Sequence, residues 1–315
     1  TQFANSAGGT ITTSRDTTAP TGFGQSMKFD VTSADTSVGS THVVYTAQTV
    51  EAQVMRNSGW DYTSSSSYIT LSFQIRSSKT GTYCVFLYTN DGSAKMYTAE
   101  YTVSSADTWE QKVIAIPGNS NLTFNNDNGN GVQIGWTWAC GTDRDGTAET
   151  WSDLAFATSN QVNFLDSTSN VAYLTGVQLE VGQFTSSTLP AFQHESFGDN
   201  LARCQRYYYR INPDADAQAS IGEASYYSSS AAFVCLEFPI AMRDSPSLEQ
   251  TTGTDYFNLN RNSANDSFDS FNNLNASDHT SAQLYISSGI SGTAGHGARC
   301  RFNDASARLA FSAEL

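Results

Sequence analysis

Two groups of aromatic side chains beside acids are the residues of this sequence best suited to bind a ligand. Trp60 and Tyr62 flank Asp61, and Trp151 precedes Asp153 by two positions, all in polar stretches that predict loops. Sugar rings stack their CH faces on exposed Trp and Tyr rings, while acids and amides bind the sugar hydroxyls. These five residues are the predicted glycan-binding residues. Packing under a loop would explain the same aromatic residues without a ligand, and the sequence leaves both interpretations open.

A second polar segment has part of the pattern of a calcium-binding loop. Asp143 and Asp145 alternate ahead of Gly146, and Glu149 follows, which offers oxygen ligands at alternate positions and a glycine for the turn. The segment lacks a ligand position that the complete motif has, so a plain polar hairpin is the alternative. A structural calcium ion is the only cofactor that the sequence suggests.

The sequence contains no catalytic motif. It has no GxSxG, no HExxH, no phosphate-binding glycine loop and no GxGxxG after a strand. The four histidines are scattered, and each is expected to be structural. Glu51, Glu100, Glu110 and Glu180 lie on or beside predicted strands, where a solvated strand face explains them without a glycosidase pair. We therefore expect a protein that is not an enzyme.

Composition indicates an all-β protein. Of 315 residues, 39% are hydrophobic, 12% are aromatic and only 15% are charged, and Ser, Thr, Asn and Gly supply the polarity; this is typical of strands joined by many turns. No apolar run approaches the roughly 20 residues that span a bilayer. The formal net charge of −14 argues against a nucleic-acid partner, because phosphates would be repelled.

The cysteines predict a reducing site of assembly. There are five, an odd number, without CxxC or metal-type spacing. Cys84 and Cys235 fall in strand-like runs and Cys204 in a predicted helix, where a thiol usually behaves as a small buried hydrophobe. Assembly in a cytoplasm fits this pattern better than secretion through an oxidising compartment.

Alternating hydrophobic positions predict the strands that must position these residues. The cleanest strand places Ile69, Leu71, Phe73 and Ile75 on one face. Trp136 and Trp138 share one parity with Val132 and Ile134 and are predicted to belong to the core. Short strands recur about every 8 to 15 residues with turn signals between them, which is typical of a β-sandwich or jelly roll.

The junction between residues 171 and 211 changes period from strand to helix. Its first part has one apolar parity, predicted to face the core: Val171, Tyr173, Val177, Leu179 and Val181. Ser196 is a predicted N-cap, and the helix carries Leu201, Cys204 and Tyr208 at i, i+3 and i+7. This apolar stripe is narrow. It would suit packing against copies of itself, and docking onto the chain's own sandwich is the alternative.

This junction resembles one found in bacteriophage tail-fibre and related virion proteins. The likeness lies in VQLEVG and HESFGDNLARCQRYYYR, with upstream support from APTGFGQSMKFDV, TLSFQIRSSKTGTYCVFLYTNDG and DTWEQKVIAIPG, and it covers residues 19–211. It implies a jelly roll similar to carbohydrate-binding modules, a homotrimer, other virion proteins as partners, and a location on the virion after assembly in the host cytoplasm. Because the family carries further sequence before this point, we expect a longer native chain.

The predicted organisation has three parts. Residues 1–195 form the jelly-roll or β-sandwich domain, 196–210 a short connecting helix, and 211–315 a smaller β-rich domain. The predicted function is non-enzymatic adsorption to host surface glycans, without insertion into a membrane. The alternatives are a capsid-attached or tail-attached structural protein that binds no glycan and, less favoured, a polysaccharide depolymerase.

Overall fold

Strands dominate the computed structural model, which describes residues 2–213, 217–262 and 264–315. Two α-helices lie among these residues, α1 (Ala52–Arg56) and α2 (Phe197–Gln205). The strands are β1 Gln2–Asn5, β2 Thr10–Asp16, β3 Ser26–Ser33, β4 Val43–Glu51, β5 Tyr68–Ser77, β6 Gly81–Thr89, β7 Lys95–Val103, β8 Glu110–Pro117, β9 Asn130–Cys140, β10 Thr150–Ser152, β11 Val171–Val181, β12 Tyr208–Ile211, β13 Ser220–Tyr226, β14 Ala232–Glu237, β15 Ser247–Thr251, β16 Phe257–Arg261, β17 Ala264–Phe268, β18 Asn273–Ser277, β19 Ser281–Ile286, β20 Gly297–Phe302 and β21 Arg308–Ser312. The prediction of an all-β fold with a short helix is confirmed.

The chain divides into two compact units, an N-terminal unit that ends at Gln193 and a C-terminal unit, His194–Glu314. The N-terminal unit is a sandwich of a six-stranded sheet, β1-β4-β9-β6-β7-β10, and a five-stranded sheet, β2-β3-β11-β5-β8. Side chains from both sheets meet in its core: Phe73 of β5 packs edge-on against Trp136 of β9 at 5.5 Å between ring centroids. Trp136 and Trp138 are core residues, as predicted.

Strand β5 follows its predicted alternation and is covered on both sides. Ile69, Leu71, Phe73 and Ile75 face the core. Thr70, on the opposite side, is also buried, and its hydroxyl donates to the carbonyl of Gly182 at 2.6 Å. The segment after β11 therefore covers the second face of β5 at Thr70.

Strand β11 contains a bulge that changes which residues face the core. Its pairing with β5 shifts between Thr175 and Gln178, where Gly176 has a φ of +60°. Before the bulge Ala172 and Leu174 are buried, and after it Leu179 packs against the core. The predicted buried face is therefore wrong for Val171 and Tyr173, and Val177 is exposed. One extra residue in a strand reverses the side that every later side chain takes.

The C-terminal unit pairs a seven-stranded sheet, β17-β16-β20-β13-β14-β19-β18, with a three-stranded sheet, β12-β21-β15. Its core is separate from that of the first unit and includes Val234, Leu284 and Phe311. The polar run between residues 258 and 280, for which the sequence left a loop or weak strands open, contributes to strands β16 to β18.

Helix α2 begins as predicted, since the Ser196 hydroxyl accepts from the backbone N–H of Asp199 at 3.2 Å. Cys204 and Cys235 are exposed, so the prediction that they are buried is wrong, whereas Cys84 is buried as expected. All five cysteines are free thiols. Among the described residues, neither helix is long and apolar enough to cross a membrane.

Candidate functional site

Trp60 lies in the sandwich core and not on its surface. The side chain is 3% exposed, and its indole N–H donates to the carbonyl of Ser67 at 3.3 Å. Its ring lies 6.3 Å from those of Tyr62 and Phe124. The predicted role in sugar stacking is therefore wrong for Trp60, because neither face of the ring is open. The alternative interpretation, packing under a loop, describes it correctly.

The other predicted glycan-binding residues lie at the edges of this core. Tyr62 is half-buried and meets Phe124 edge-on at 4.8 Å. Trp151 on β10 is half-buried, and its indole N–H donates to the Pro117 carbonyl at 2.9 Å. Asp61 is exposed, and Asp153 is an exposed partner of Lys95 at 2.5 Å. The structure thus uses Tyr62 and Trp151 mainly for packing.

The three acids of the predicted calcium loop do not form a cation site. Asp143 accepts a hydrogen bond from the Ser40 hydroxyl at 2.7 Å, and Glu149 is exposed with a φ of +56°. Burial raises the pKa of Asp145 above its ordinary value. Within the described ranges no three His, Cys, Asp or Glu side chains are grouped so that they could hold a metal ion.

The predicted helix stripe is open to solvent. Leu201 is 43% exposed and Cys204 is exposed. The helix ends at Gln205 and Tyr208 lies on strand β12, so the prediction that Tyr208 continues the helical stripe is wrong. No residue of α2 is buried, and Phe197 at its start is 83% exposed.

The outer face of the six-stranded sheet carries an aromatic and polar surface that the sequence did not predict. We call Tyr45, Thr49, Tyr88 and Gln133 the tyrosine patch. Thr49 of β4 pairs with Gln133 of β9, which pairs with Tyr88 of β6, so these three side chains form a row across neighbouring strands. The opposite parity of the same strands, including Val132, faces the core. The patch therefore points away from the sandwich interior.

Packed rings hold Tyr45 at the border of this row. Phe156 stacks on Tyr45 with centroids 5.3 Å apart and an interplanar angle of 18°. Phe86 meets Tyr45 edge-on at 5.1 Å and Phe156 edge-on at 5.2 Å. A hydrogen bond fixes the Phe156 backbone, because its carbonyl accepts from the Thr137 hydroxyl at 2.6 Å. Phe156 therefore covers one face of the Tyr45 ring, and the other patch residues lie next to this stacked pair.

The chemistry of the patch is uncharged. Burial, and secondarily the neighbouring hydroxyl of Tyr88, raises the pKa of Tyr45, so the Tyr45 phenol stays protonated at neutral pH. The Thr49 hydroxyl is buried and has no hydrogen-bond partner among the described residues. A buried polar group without a partner commonly marks a place for a water molecule or a ligand. Aromatic faces, hydroxyls and an amide together suit an uncharged polyol.

The four glutamates noted in the sequence have structural partners. Glu51 accepts from Gln53 at 2.5 Å, and Glu100 accepts from Asn160 at 3.0 Å. Glu110 forms an ion pair with Lys112 at 2.6 Å, and Gln178 donates to Glu180 at 2.9 Å. Each carboxylate is engaged by a side chain close to it.

One sequence signal for the patch was available. Gly135 stands between Ile134 and Trp136 in a central strand, where glycine often marks the close approach of another group. That group is the ring of Phe86 on the paired strand, which would overlap a Cβ at position 135. The glycine alone does not reveal that the neighbouring strand is β6, which carries Phe86.

Comparisons with known proteins find distant likenesses in structure. No family model matches the chain, and no curated protein matches it. The family 11 carbohydrate-binding module of the cellulase Lic26A-Cel5E of Clostridium thermocellum is similar at 12% identity, covering 58% of this chain and 88% of that one, with a TM-score of 0.33. The enzymatically active domain of bacteriophage CBA120 tailspike protein 4 is similar at 10% identity and a TM-score of 0.33, with 57% of this chain and 19% of that one covered.

A third structure aligns over nearly the whole chain. The tandem CBM22-1-CBM22-2 domain of Paenibacillus barcinonensis Xyn10C is similar at 9% identity, covers 98% of this chain and 91% of that one, and has a TM-score of 0.31. At these identities and scores the likenesses assign neither a family nor a ligand to the chain. Assignment of a function rests on the residues themselves.

Proposed function

We propose that this chain is a non-enzymatic tail-fibre or other appendage protein of a bacteriophage that adsorbs to glycans on the host surface. The tyrosine patch carries the glycan-binding half of the proposal. It places two half-buried tyrosines, a buried threonine hydroxyl that has no hydrogen-bond partner among the described residues, and the buried amide of Gln133 on one strand face. The phage half is supported by the resemblance of the junction around residues 171–211.

The patch favours neutral sugars. A pyranose ring stacks its CH face on a tyrosine ring and directs its hydroxyls to neighbouring polar groups. Here Thr49 and Gln133 stand next to Tyr88 in the strand register. None of the four patch residues carries a formal charge, so an anionic sugar gains no ion pair from them. Weak contacts of this kind become effective when many copies act together, as they would in a trimeric fibre.

Binding without hydrolysis is supported by the carboxylates. Most glycosidases use a pair of carboxyl groups that flank the scissile bond. Glu51, Glu100, Glu110 and Glu180 are held by other side chains. A structural protein of the particle that binds no glycan is the competing function, and it is distinguished by the experiment below.

The test uses the full chain with glycans isolated from the host envelope. We expect binding that Tyr88→Ala and Tyr45→Ala weaken about tenfold, the loss expected for roughly 1.4 kcal/mol of contact. Trp109→Ala is the matched control. It also removes a half-buried aromatic ring, but that ring lies near Tyr173 of β11 in the five-stranded sheet and not in the tyrosine patch.

Analysis of the glycan after incubation separates a binder from an enzyme. We expect the chain lengths of the polysaccharide to stay unchanged. Release of oligosaccharides that one carboxylate substitution abolishes would replace this function with depolymerisation. Absence of binding at millimolar sugar would leave the structural role.

A further inference from the structure

The C-terminal unit has its own aromatic surface. Strands β14 and β19 bury alternate residues, so that Phe233 and Tyr285 lie on the outer face of the seven-stranded sheet. These two residues pair across the strands with ring centroids 5.3 Å apart, and Tyr227 meets Phe233 edge-on at 5.5 Å. Tyr227 is 72% exposed, and the other two rings are half-exposed. We call these three residues the aromatic row.

A cleft of about 620 Å³ lies on the same strands. Its lining includes Cys235 and Gln283, each two residues from a ring of the row and on the same strand face as that ring. The volume falls within the roughly 300–1,000 Å³ of small-molecule sites. A ligand lying across Phe233 and Tyr285 would therefore extend directly into the cleft.

Hydrogen bonds hold the polar groups of this cleft in place. The Gln283 amide oxygen accepts from Asn275 at 2.7 Å, and its amide nitrogen donates to the sulfur of Cys235 at 3.7 Å. The Asp278 carboxylate accepts from the backbone N–H groups of Thr280 at 2.7 Å and Ser281 at 2.8 Å. Such a fixed set of acceptors and donors reduces the ordering cost of binding.

Charge decides what kind of ligand fits. Among the residues that the structure describes, the cleft lining contains the acids Glu237 and Asp278 and no lysine or arginine. An anionic sugar or a phosphate would meet these carboxylates without a compensating cation. We propose that the aromatic row and the adjoining cleft bind a neutral oligosaccharide, as a second glycan site separate from the tyrosine patch. The ligand class rests on the proposed function, whereas the location rests on the rings and the cleft.

The surroundings of the row are unsuited to a protein partner. The adjacent strand β13 presents Glu223 on this face, and the next strand, β20, presents Arg299. A stable protein interface takes about 800 Å² from each partner, with charged residues depleted at its centre. Three rings bounded by charges and a polar cleft are better matched to a narrow, hydroxyl-rich chain.

The experiment titrates the full chain with cellohexaose, mannohexaose and N-acetylchitohexaose, with oligogalacturonate as the anionic comparison. We expect a neutral hexasaccharide to bind, and Phe233→Ala and Tyr285→Ala to weaken that binding about tenfold. Tyr88→Ala in the tyrosine patch should leave this binding event in place. Trp109→Ala again serves as the control. Because Tyr227 is 72% exposed, Tyr227→Ala keeps the test valid if the other two variants fail to fold.

The outcomes separate this inference from the proposed function. The second site is overturned, and the first remains, if Tyr88→Ala abolishes all sugar binding while Phe233→Ala, Tyr285→Ala and Tyr227→Ala bind sugar as the parent does. The second site is also overturned if the chain binds oligogalacturonate alone, or if it binds none of the neutral hexasaccharides. A fall in particle mass by light scattering for Phe233→Ala would identify the row as a contact between copies of the chain, which is equally incompatible with the proposal.

Discussion

The ring of Phe86 lies over Gly135 on the paired strand, with no room for even a methyl group between them. The same Phe86 ring meets both Tyr45 and Phe156 edge-on. The absence of a side chain at Gly135 of β9 thus makes room for Phe86, which packs against Tyr45 of the tyrosine patch.

Gly135→Ala is expected to disturb both stability and binding. The added methyl must displace the fully buried Phe86 ring, and overpacking of this kind costs about 1 to 3 kcal/mol. Urea unfolding followed by tryptophan fluorescence measures it, because all five tryptophans belong to the N-terminal unit. Gly24→Ala is the control, since a Cβ at position 24 has no neighbour within 4 Å. An unchanged unfolding midpoint for Gly135→Ala would contradict the described contact.

Phe73→Ala should cost about 3 to 5 kcal/mol of unfolding free energy. The side chain is 0% exposed and meets Tyr101 edge-on at 5.1 Å and Trp136 at 5.5 Å. The same fluorescence-detected unfolding applies. Val177→Ala, at a position 38% exposed in the β11 bulge, should stay within about 0.5 kcal/mol of the parent. A loss below about 1 kcal/mol for Phe73→Ala would show that the ring is not in the core.

Asp278 is expected to titrate unusually low. Hydrogen bonds from the Thr280 hydroxyl, and then from the backbone N–H groups of Thr280 and Ser281, lower its pKa from 3.8 to about 2. A depressed pKa in the folded state adds stability that is present above the unfolded-state value and is lost as the pH falls through the folded-state value. This stabilisation is therefore complete above about pH 4 and declines toward pH 2.

Carbon-detected NMR titration of the Asp278 carboxyl measures this pKa directly. Thr280→Val removes the hydroxyl donor and should move the midpoint upward, toward but not fully to 3.8, because the backbone donors remain. A parent midpoint close to 3.8 would contradict the hydrogen-bonded turn at the edge of the cleft.

A homotrimer formed through α2 is predicted, and Leu201→Asp is its test. Phe197 and Leu201 are exposed on this helix, and symmetry-related carboxylates at position 201 would repel one another at close range. Light scattering should show a trimeric parent and a variant shifted toward monomer, with an unchanged β signature in circular dichroism. Asn200→Asp adds the same charge outside the stripe and should remain trimeric. A parent that is monomeric at micromolar concentration would rule out a trimer formed through α2.

The sequence by itself determined the features that depend on neighbours along the chain. The alternation of Ile69, Leu71, Phe73 and Ile75 identified the core face of β5, and the shared parity of Trp136 and Trp138 placed both in the interior. Ser196 three residues before Asp199 identified the start of α2. Each of these follows from a local period or a local hydrogen bond, which tertiary structure did not override.

Only the tertiary structure decided which surfaces these elements form. The tyrosine patch exists because β4 and β6 both pair with β9, although the three strands are far apart in the chain, and no local pattern specifies such a pairing. The bulge at Gly176 reversed the face of β11, and Phe124 together with the Ser67 carbonyl drew Trp60 into the core. An aromatic residue in a polar loop has the same local sequence whether it packs or binds; the long-range neighbours that cover it decide between the two.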